Sequence, residues 1–152
     1  MFRDMREIPE PRLLRYGPVF ERWFRREVRR EKLTGLLVET ESGEVVAGAL
    51  LWLQPRTPSP RFPQQEVPYI MSVYTEPAHR GRGLASRVVR ALVASARRQG
   101  YPRVELHATE RAQSLYARLG FRPTNQMRVT FTGGRSSRNP RATKRPRSPR
   151  AG

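Results

Sequence analysis

The chain contains no cysteine, only two histidines (His79 and His107) and only two lysines among its 30 basic residues. The absence of cysteine excludes disulfide bonds, a thiol nucleophile and cysteine-ligated zinc, and two histidines are too few for a histidine-based metal site. We therefore expect no metal. No run approaches the roughly 18 consecutive apolar residues that a membrane span needs, and the N-terminal residues are charged where a signal peptide is apolar. The sequence thus predicts a soluble, cytoplasmic protein that does not enter a membrane.

The length of 152 residues suits one domain with a single hydrophobic core. The formal net charge of +17 would ordinarily suggest a nucleic acid or another polyanion as partner. However, seven basic residues follow residue 132, where no acid occurs, and without them 23 basic residues face 13 acidic ones. Because residues 133–152 have no apolar period, we predict a domain over 1–132 and a disordered basic tail over 133–152. Composition favours a solvated terminus, and an arm that contacts nucleic acid is the alternative.

The first predicted element is an amphipathic helix. Apolar residues recur at spacings of three and four over residues 19–33, with Trp23 in the stripe that faces the core. Pro9 and Pro11 are expected to break the chain before this helix, and Gly35 to stop it.

Two apolar runs on either side of residues 41–44 then predict a β-hairpin. Residues 55–68 contain five prolines and little apolar content, which predicts an irregular loop. The loop is long for a connector, so two interpretations stay open: a plain connection, or a segment that helps to shape a substrate site.

The second half of the chain predicts a βαβ unit. Residues 69–77 predict a strand, 84–100 a helix and 101–109 another strand, which places the two strands as parallel or splayed neighbours. A short helix over 111–119 and an extended stretch over 121–131 follow. Together the elements predict a mixed α/β (α+β) domain with a central splayed sheet flanked by helices.

The stretch HRGRGLAS, residues 79–86, connects the predicted strand to the predicted helix. A helix N-terminus leaves backbone N–H groups unpaired and carries about half a positive charge, so it binds phosphate oxygens. Gly81 and Gly83 would let a phosphate approach the backbone, and Arg80 and Arg82 would add charge-assisted hydrogen bonds. An ordinary basic turn is the alternative for this stretch taken alone.

Nucleotide-binding patterns match this stretch poorly. A dinucleotide fingerprint needs a third small residue, usually glycine, where this chain has Ser86 followed by Arg87, and the lysine of a P-loop is absent. Glu105 lies about 20 residues further on, where the ribose-binding acid of the fingerprint is expected. A dinucleotide-binding fold is therefore a weaker alternative.

The segment VYTEPAHRGRGLASRVVRAL, followed by ERAQSLYARLGF, resembles the GNAT superfamily of acyl-CoA-dependent N-acyltransferases. The phosphate-binding motif of that family is matched by Arg80, Gly83 and Ala85. Its later motif is matched by Ala112, Leu115, Tyr116, Gly120 and Phe121. The resemblance covers about residues 35–130 and implies acetyl-CoA as cosubstrate. It also implies transfer of an acetyl group, by direct attack, to a primary amine of a small molecule or a peptide; a noncatalytic nucleic-acid-binding protein is the alternative.

The resemblance implies roles for individual residues. The backbone of Val73 and Thr75 would contact the pantetheine arm. The pyrophosphate would lie on the loop made by Arg80, Gly81, Arg82, Gly83, Leu84, Ala85 and Ser86. Tyr116 would lie near the thioester sulfur and protonate the departing thiolate, and packing against the helix is its alternative role.

Two departures from the family are visible. Thr109 stands where many relatives have an asparagine, so a polar contact to the pantetheine is in question. About twenty poorly patterned residues precede the amphipathic helix, where the family has a strand and a further helix, so we expect the first strand to be missing. An open sheet edge would then favour self-association, and a homodimer is one expected form.

The base that deprotonates the acceptor amine is not fixed by the sequence. Strand alternation places Glu105, His107 and Thr109 on one face, and a histidine titrates in the appropriate range for a base. A structural role is the alternative for His107. Glu76 and Tyr74 are lesser candidates, and a chain of waters would also serve.

Overall fold

The computed structural model describes residues 10–60 and 62–129, with side chains from Leu14 onward. The elements are α1 (Glu10–Arg29), β1 (Leu33–Glu39), β2 (Val45–Pro55), β3 (Glu66–Thr75), α2 (Leu84–Arg98), β4 (Glu105–Leu106) and α3 (Glu110–Arg118). The strands form one sheet in the order β1-β2-β3-β4, in which β1, β2 and β3 are antiparallel and β4 is parallel to β3. The predicted mixed α/β (α+β) fold and its βαβ unit, β3–α2–β4, are confirmed.

The core lies between one face of the sheet and the helices α2 and α3. Its buried residues are Ala49, Leu51, Ile70, Val88, Val89, Leu92, Ala96 and Tyr116. In α2 the buried positions recur every three or four residues, as one face of a helix requires. The core therefore fixes α2 and α3 on the same side of the sheet.

The other face of the sheet is met by α1. Trp23 of α1 and Trp52 of β2 make an edge-to-face contact with ring centroids 5.4 Å apart. Beside them Glu27, only 6% exposed, accepts hydrogen bonds from the indole N–H of Trp52 at 3.2 Å and from Arg26 Nε at 2.7 Å. The hydrogen bond from Arg26 lowers the pKa of Glu27 although burial opposes it. A buried charge with two donors thus joins α1 to the sheet.

The strands β3 and β4 separate soon after they meet. They pair only at Tyr69 with Glu105 and Ile70 with Leu106. Just beyond Ile70, strand β3 carries a bulge, because two of its residues oppose a single residue of β2, and Ser72 has a φ of +56°. Among the described residues, no strand pairs with the β4-facing edge of β3 beyond the bulge. The expected splay is therefore present.

The prediction for α1 was partly wrong. The helix begins at Glu10, nine residues before the predicted start, so Pro11 lies in its first turn. The N–H groups of a first turn have no acceptor within the helix, and the N–H that proline lacks therefore costs no hydrogen bond there. It continues through Pro18 and ends at Arg29. The end is closed by Glu31, whose φ is +58°, with hydrogen bonds from Glu31 N–H to Val28 O and from Lys32 N–H to Glu27 O, both 2.9 Å. Leu33 therefore belongs to β1.

Two further boundaries need correction. The proline-rich loop is shorter than predicted, since β2 extends to Pro55 and β3 begins at Glu66, and the two strands form a second hairpin. Pro68 lies inside β3, where it is fully buried. The predicted strand over 101–109 contains only the two residues of β4, because its remaining residues have no paired neighbour in the described structure. The hairpin around 41–44, α2 and α3 lie where the sequence predicted them, within two residues.

Some predictions fall outside the described residues. The contact pattern divides the chain after Arg122, and residues 123–129 of the second part contain no helix or strand. The predicted domain end at residue 132 and disorder over 133–152 concern residues that lie outside the described part. No strand precedes α1 in the described residues, but residues 1–9 lie outside them, so the missing first strand stays a prediction.

Candidate functional site

The glycine-containing loop lies between the end of β3 and the start of α2, and residues 80–83 are exposed. Gly81 and Gly83 have φ values of +77° and +74°, which residues with a Cβ rarely adopt. A Cβ atom built on either glycine meets no atom within 4 Å, so the space beside the backbone is open. Gly83 is the N-cap of α2, and the N–H groups of the next three residues have no acceptor within the helix. The loop can therefore receive an anion.

Positive charge surrounds the same loop. Arg80 and Arg82 lie within it, and the first turn of α2 contains no acidic residue. Arg80 also has a structural contact, because its Nε donates a hydrogen bond to the carbonyl oxygen of Thr75 at 3.0 Å. This bond holds the loop against the end of β3.

Val73 and Thr75 lie on the part of β3 beyond the bulge. Val73 is half-buried and packs against the core. The Thr75 hydroxyl is buried and has no hydrogen-bond partner among the described residues. A buried hydroxyl without a partner is uncommon. Both residues therefore lie on the part of β3 that β4 does not cover, and their contact with the pantetheine arm stays a prediction.

Tyr116 lies on α3 and is 8% exposed. It shares the core cluster with Val88 and Val89 from the first half of α2, and its ring makes an edge-to-face contact with Phe121 at 5.9 Å. Burial raises the pKa of the Tyr116 hydroxyl. The hydroxyl consequently keeps its proton at neutral pH.

His107 directly follows β4 and is exposed. Its Nδ1 is hydrogen-bonded to the hydroxyl of Tyr69 on β3, and the centroids of the two rings are 5.7 Å apart. Leu106, the residue before it, packs against the core, so alternation directs His107 to the opposite face of the sheet. The two predicted catalytic residues therefore lie on opposite sides of the sheet, Tyr116 in the core and His107 on the face that carries Tyr69.

The lesser candidates for the base are in contact with each other, because the Tyr74 hydroxyl donates to Glu76 Oε2 at 3.2 Å. Thr109 is the N-cap of α3 and makes no capping hydrogen bond through its side chain. Glu105 does not have the role that a dinucleotide site would require. Its carboxylate is paired with Arg56 and, at 3.0 Å, with Arg103, and the mixed sheet excludes the parallel dinucleotide-binding fold.

No sequence pattern predicted the contact between Tyr69 and His107 or the pairing of Arg56 with Glu105. These partners are 38 and 49 positions apart. The register of β3 against β4 brings Tyr69 to His107. Arg56 reaches Glu105 because it follows the end of β2, which pairs with the start of β3. Among residues 10–60 and 62–129, no group of three histidine, cysteine or acidic side chains could hold a metal ion. In the same residues no helix has the length and apolarity to cross a bilayer.

The sequence and the fold of this chain are similar to those of known acetyltransferases. The model of the acetyltransferase (GNAT) family matches residues 2–121. The chain belongs to this family. A GCN5-related N-acetyltransferase from Ralstonia eutropha is 31% identical to this GNAT protein and superposes with a TM-score of 0.75, covering 88% of this chain and 86% of that one. The predicted family and fold are thereby confirmed.

Two further acetyltransferases are similar to this GNAT chain in sequence or in fold. The glucosamine 6-phosphate N-acetyltransferase of Trypanosoma brucei brucei is 31% identical over 100 residues, 64% of this chain and 65% of that protein. A predicted acetyltransferase from Clostridium acetobutylicum, solved with acetyl-CoA, is 24% identical with a TM-score of 0.66, covers 72% of this chain and 71% of that one, and shows the fold. This GNAT chain spans less than two thirds of the length of the curated relatives that it matches.

Proposed function

We propose that this GNAT protein transfers an acetyl group from acetyl-CoA to a primary amine. The observation that carries the proposal is the exposed loop at the start of α2, where Gly81 and Gly83 have positive φ values and open space beside the backbone. Backbone N–H groups, the helix dipole and the arginines of this loop suit a pyrophosphate. The adjoining open edge of β3 suits the pantetheine arm.

The reaction we propose is a direct attack. The amine nitrogen forms a bond to the thioester carbonyl carbon, the carbon–sulfur bond breaks, and the sulfur leaves as a thiolate. Tyr116 gives its proton to that thiolate, and its burial, which keeps the hydroxyl protonated at neutral pH, supports this role. The amine proton goes to His107 on the other side of the sheet.

Tyr69 would determine which nitrogen of His107 acts as the base. If Nδ1 carries the hydrogen and donates it to the Tyr69 oxygen, Nε2 keeps its lone pair and can accept a proton. The opposite tautomer would leave Nε2 protonated and unable to act. Tyr69 is thus a positioning residue in this mechanism.

The acceptor we propose is a primary amine of a small molecule or a peptide. The amino-sugar enzyme from Trypanosoma brucei brucei supports an amine on a small molecule, but the similarity does not select one acceptor. We also propose that the reaction takes place in the cytoplasm.

The test is to incubate the protein with acetyl-CoA and a panel of amines while following free thiol. The panel contains an amino sugar, a peptide with a free N-terminus and a peptide whose single amine is a lysine side chain. Amine-dependent thiol release, with the acetylated amine detected by mass spectrometry, is the expected result. Binding of acetyl-CoA without transfer to any amine would contradict the enzymatic proposal while retaining the loop as a binding site.

A further inference from the structure

A cavity lies far from the glycine-containing loop. It has a volume of about 180 Å³ and lies between the start of β3 and the residues before β4, under the connection from β2 to β3. Its walls include Arg56, Phe62, Val67, Pro68, Tyr101 and Arg103. Because β3 rises about 3.3 Å per residue, this cavity is about 25 Å along the strand from the glycine-containing loop. We call it the hairpin pocket.

The connection that covers the hairpin pocket is held by its own hydrogen bonds. Arg56 N–H donates to Gln65 O at 2.7 Å, and Ser59 and Phe62 exchange two backbone hydrogen bonds of 2.9 Å each. Phe62 N–H is also 3.2 Å from the Ser59 hydroxyl oxygen. Because these bonds exist before any ligand arrives, binding would require little ordering of the connection.

The hairpin pocket has an excess of positive charge. Arg56 and Arg103 both pair with the carboxylate of Glu105, so two guanidinium groups share one acid. Glu66, the acid among the residues that line the pocket, is already paired with Lys32 at 2.8 Å. The Arg103 guanidinium lies over the Phe62 ring, 4.0 Å from its centre. Among the described residues at this pocket, one positive charge is therefore not balanced by an acid.

We propose that the hairpin pocket binds a small organic anion, whose carboxylate or phosphate group pairs with Arg56 and Arg103. A second acid would balance the two guanidinium groups, and the planar fork of an arginine matches both kinds of acid. Tyr101, Val67 and Pro68 offer apolar walls for the body of the ligand. A cavity of about 150 Å³ is known to hold benzene, so the body is about the size of one ring. This inference does not depend on the proposed acetyl transfer.

The experiment is a calorimetric titration of the full chain with three probes at constant ionic strength. Benzoate tests the carboxylate, inorganic phosphate tests the phosphate group, and benzyl alcohol is the uncharged match of benzoate. We expect saturable binding of benzoate or phosphate in the millimolar range and no binding of benzyl alcohol. Equal binding of benzoate and benzyl alcohol, or no binding of either anion, would overturn the proposal.

Variants then locate the binding site. Arg103→Gln and Arg56→Gln should each weaken the bound anion at least tenfold, whereas Arg90→Gln, which removes an exposed arginine of α2 outside the pocket, should change its affinity less than twofold. Ring resonances of Phe62 and Tyr101 in the unaltered protein should shift on titration, which tests the location even if a variant fails to fold. Unchanged affinity in both folded pocket variants, or unchanged ring resonances on binding, would overturn the assignment to this pocket.

Discussion

The chemistry of Tyr116 can be separated from its packing by one substitution. Tyr116→Phe keeps the ring in the core and its contact with Phe121 but removes the hydroxyl. We expect kcat to fall on the order of 100-fold, the scale of a lost general acid, while acetyl-CoA affinity and Tm change little. The thiol-release assay and calorimetry measure these quantities. The matched control is Tyr101→Phe, for which we expect kcat to stay as in the unaltered protein; an unchanged kcat in Tyr116→Phe would leave only a packing role.

Gly83 tests whether the loop holds a phosphate. Gly83→Val introduces a branched side chain into the open space beside the backbone and strains a residue whose φ is +74°. Gly43→Val is the matched control, because Gly43 has a φ of +82° and open space in the β1–β2 turn. Both variants should lose similar stability, and Gly83→Val alone should bind acetyl-CoA at least tenfold more weakly. If calorimetry shows equal affinity for the two variants, the loop is only a basic turn.

We expect Arg80→Ala to weaken acetyl-CoA binding less than Gly83→Val does, and calorimetry measures both affinities. Arg80→Ala removes a charge and also the hydrogen bond to Thr75 O that ties the loop to β3. We expect it to cost roughly 1 to 3 kcal/mol of acetyl-CoA binding, the range for hydrogen bonds with charged groups. Gly83→Val should cost more, because it obstructs the backbone itself.

At the scale of elements, the contact of α1 with the sheet depends on a buried carboxylate. Because the hydrogen bond from Arg26 lowers the pKa of Glu27 below its ordinary value of 4.5, the charged form stabilises the fold above that value. This stabilisation is lost as the pH falls through the lowered pKa. Glu27→Gln should therefore cost about 1 kcal/mol at neutral pH and less at about pH 3.

Urea unfolding of the two proteins at both pH values measures this difference. The control is Glu21→Gln, because Glu21 pairs with Arg25 at 2.6 Å on the exposed side of the same helix and should contribute little at either pH. A loss of stability in Glu27→Gln that is the same at both pH values would contradict the electrostatic account and indicate packing instead.

Sequence patterns predicted the elements whose signals are local. The β1–β2 hairpin, α2 and α3 follow from alternation, helical periodicity and glycine stops, and they were confirmed. The predicted start of α1 and the predicted loop at Pro68 were wrong. Proline usually breaks helices and strands, but the first turn of α1 accepts Pro11 and the buried strand β3 accepts Pro68. The two-residue length of β4 depends on how far β3 and β4 separate, which no local pattern records.

The candidate site also combines residues that local sequence motifs indicate with contacts that only the tertiary structure shows. The glycine-containing loop and Tyr116 belong to short motifs, so the sequence pointed to them, and their roles stay predictions. Arg103 is only two positions from Glu105, but the contacts of Tyr69 with His107 and of Arg56 with Glu105 join residues that are 38 and 49 positions apart. Such contacts follow from tertiary structure alone and could not be predicted from local sequence.

At the scale of the whole molecule, the sheet separates two chemical environments. The face under α2 and α3 holds the apolar core and Tyr116, while the opposite face holds α1, Tyr69, His107 and the ion pairs of Glu105. The mechanism that we propose uses this division, because the proton donor Tyr116 would approach the thioester from the apolar side of the sheet and the base His107 from the exposed side.

The charge of the whole chain gives the last prediction. Residues 133–152 carry seven of the 30 basic residues and no acid, so a chain that ends at residue 132 has a formal net charge of +10 instead of +17. Affinity for a polyanion rises steeply with the number of cationic side chains that contact it, so the shortened chain should elute from a DNA column at lower salt. Its acetyl-CoA affinity should stay unchanged, because the family match ends at residue 121 and the last described helix at Arg118.

A full-length variant with all seven basic residues changed to glutamine is the matched control, and it should elute with the shortened chain because charge and not length sets the retention. Loss of acetyl-CoA binding in either protein would show that residues 133–152 contribute to the site, and unchanged elution would assign the attraction for DNA to residues 1–132.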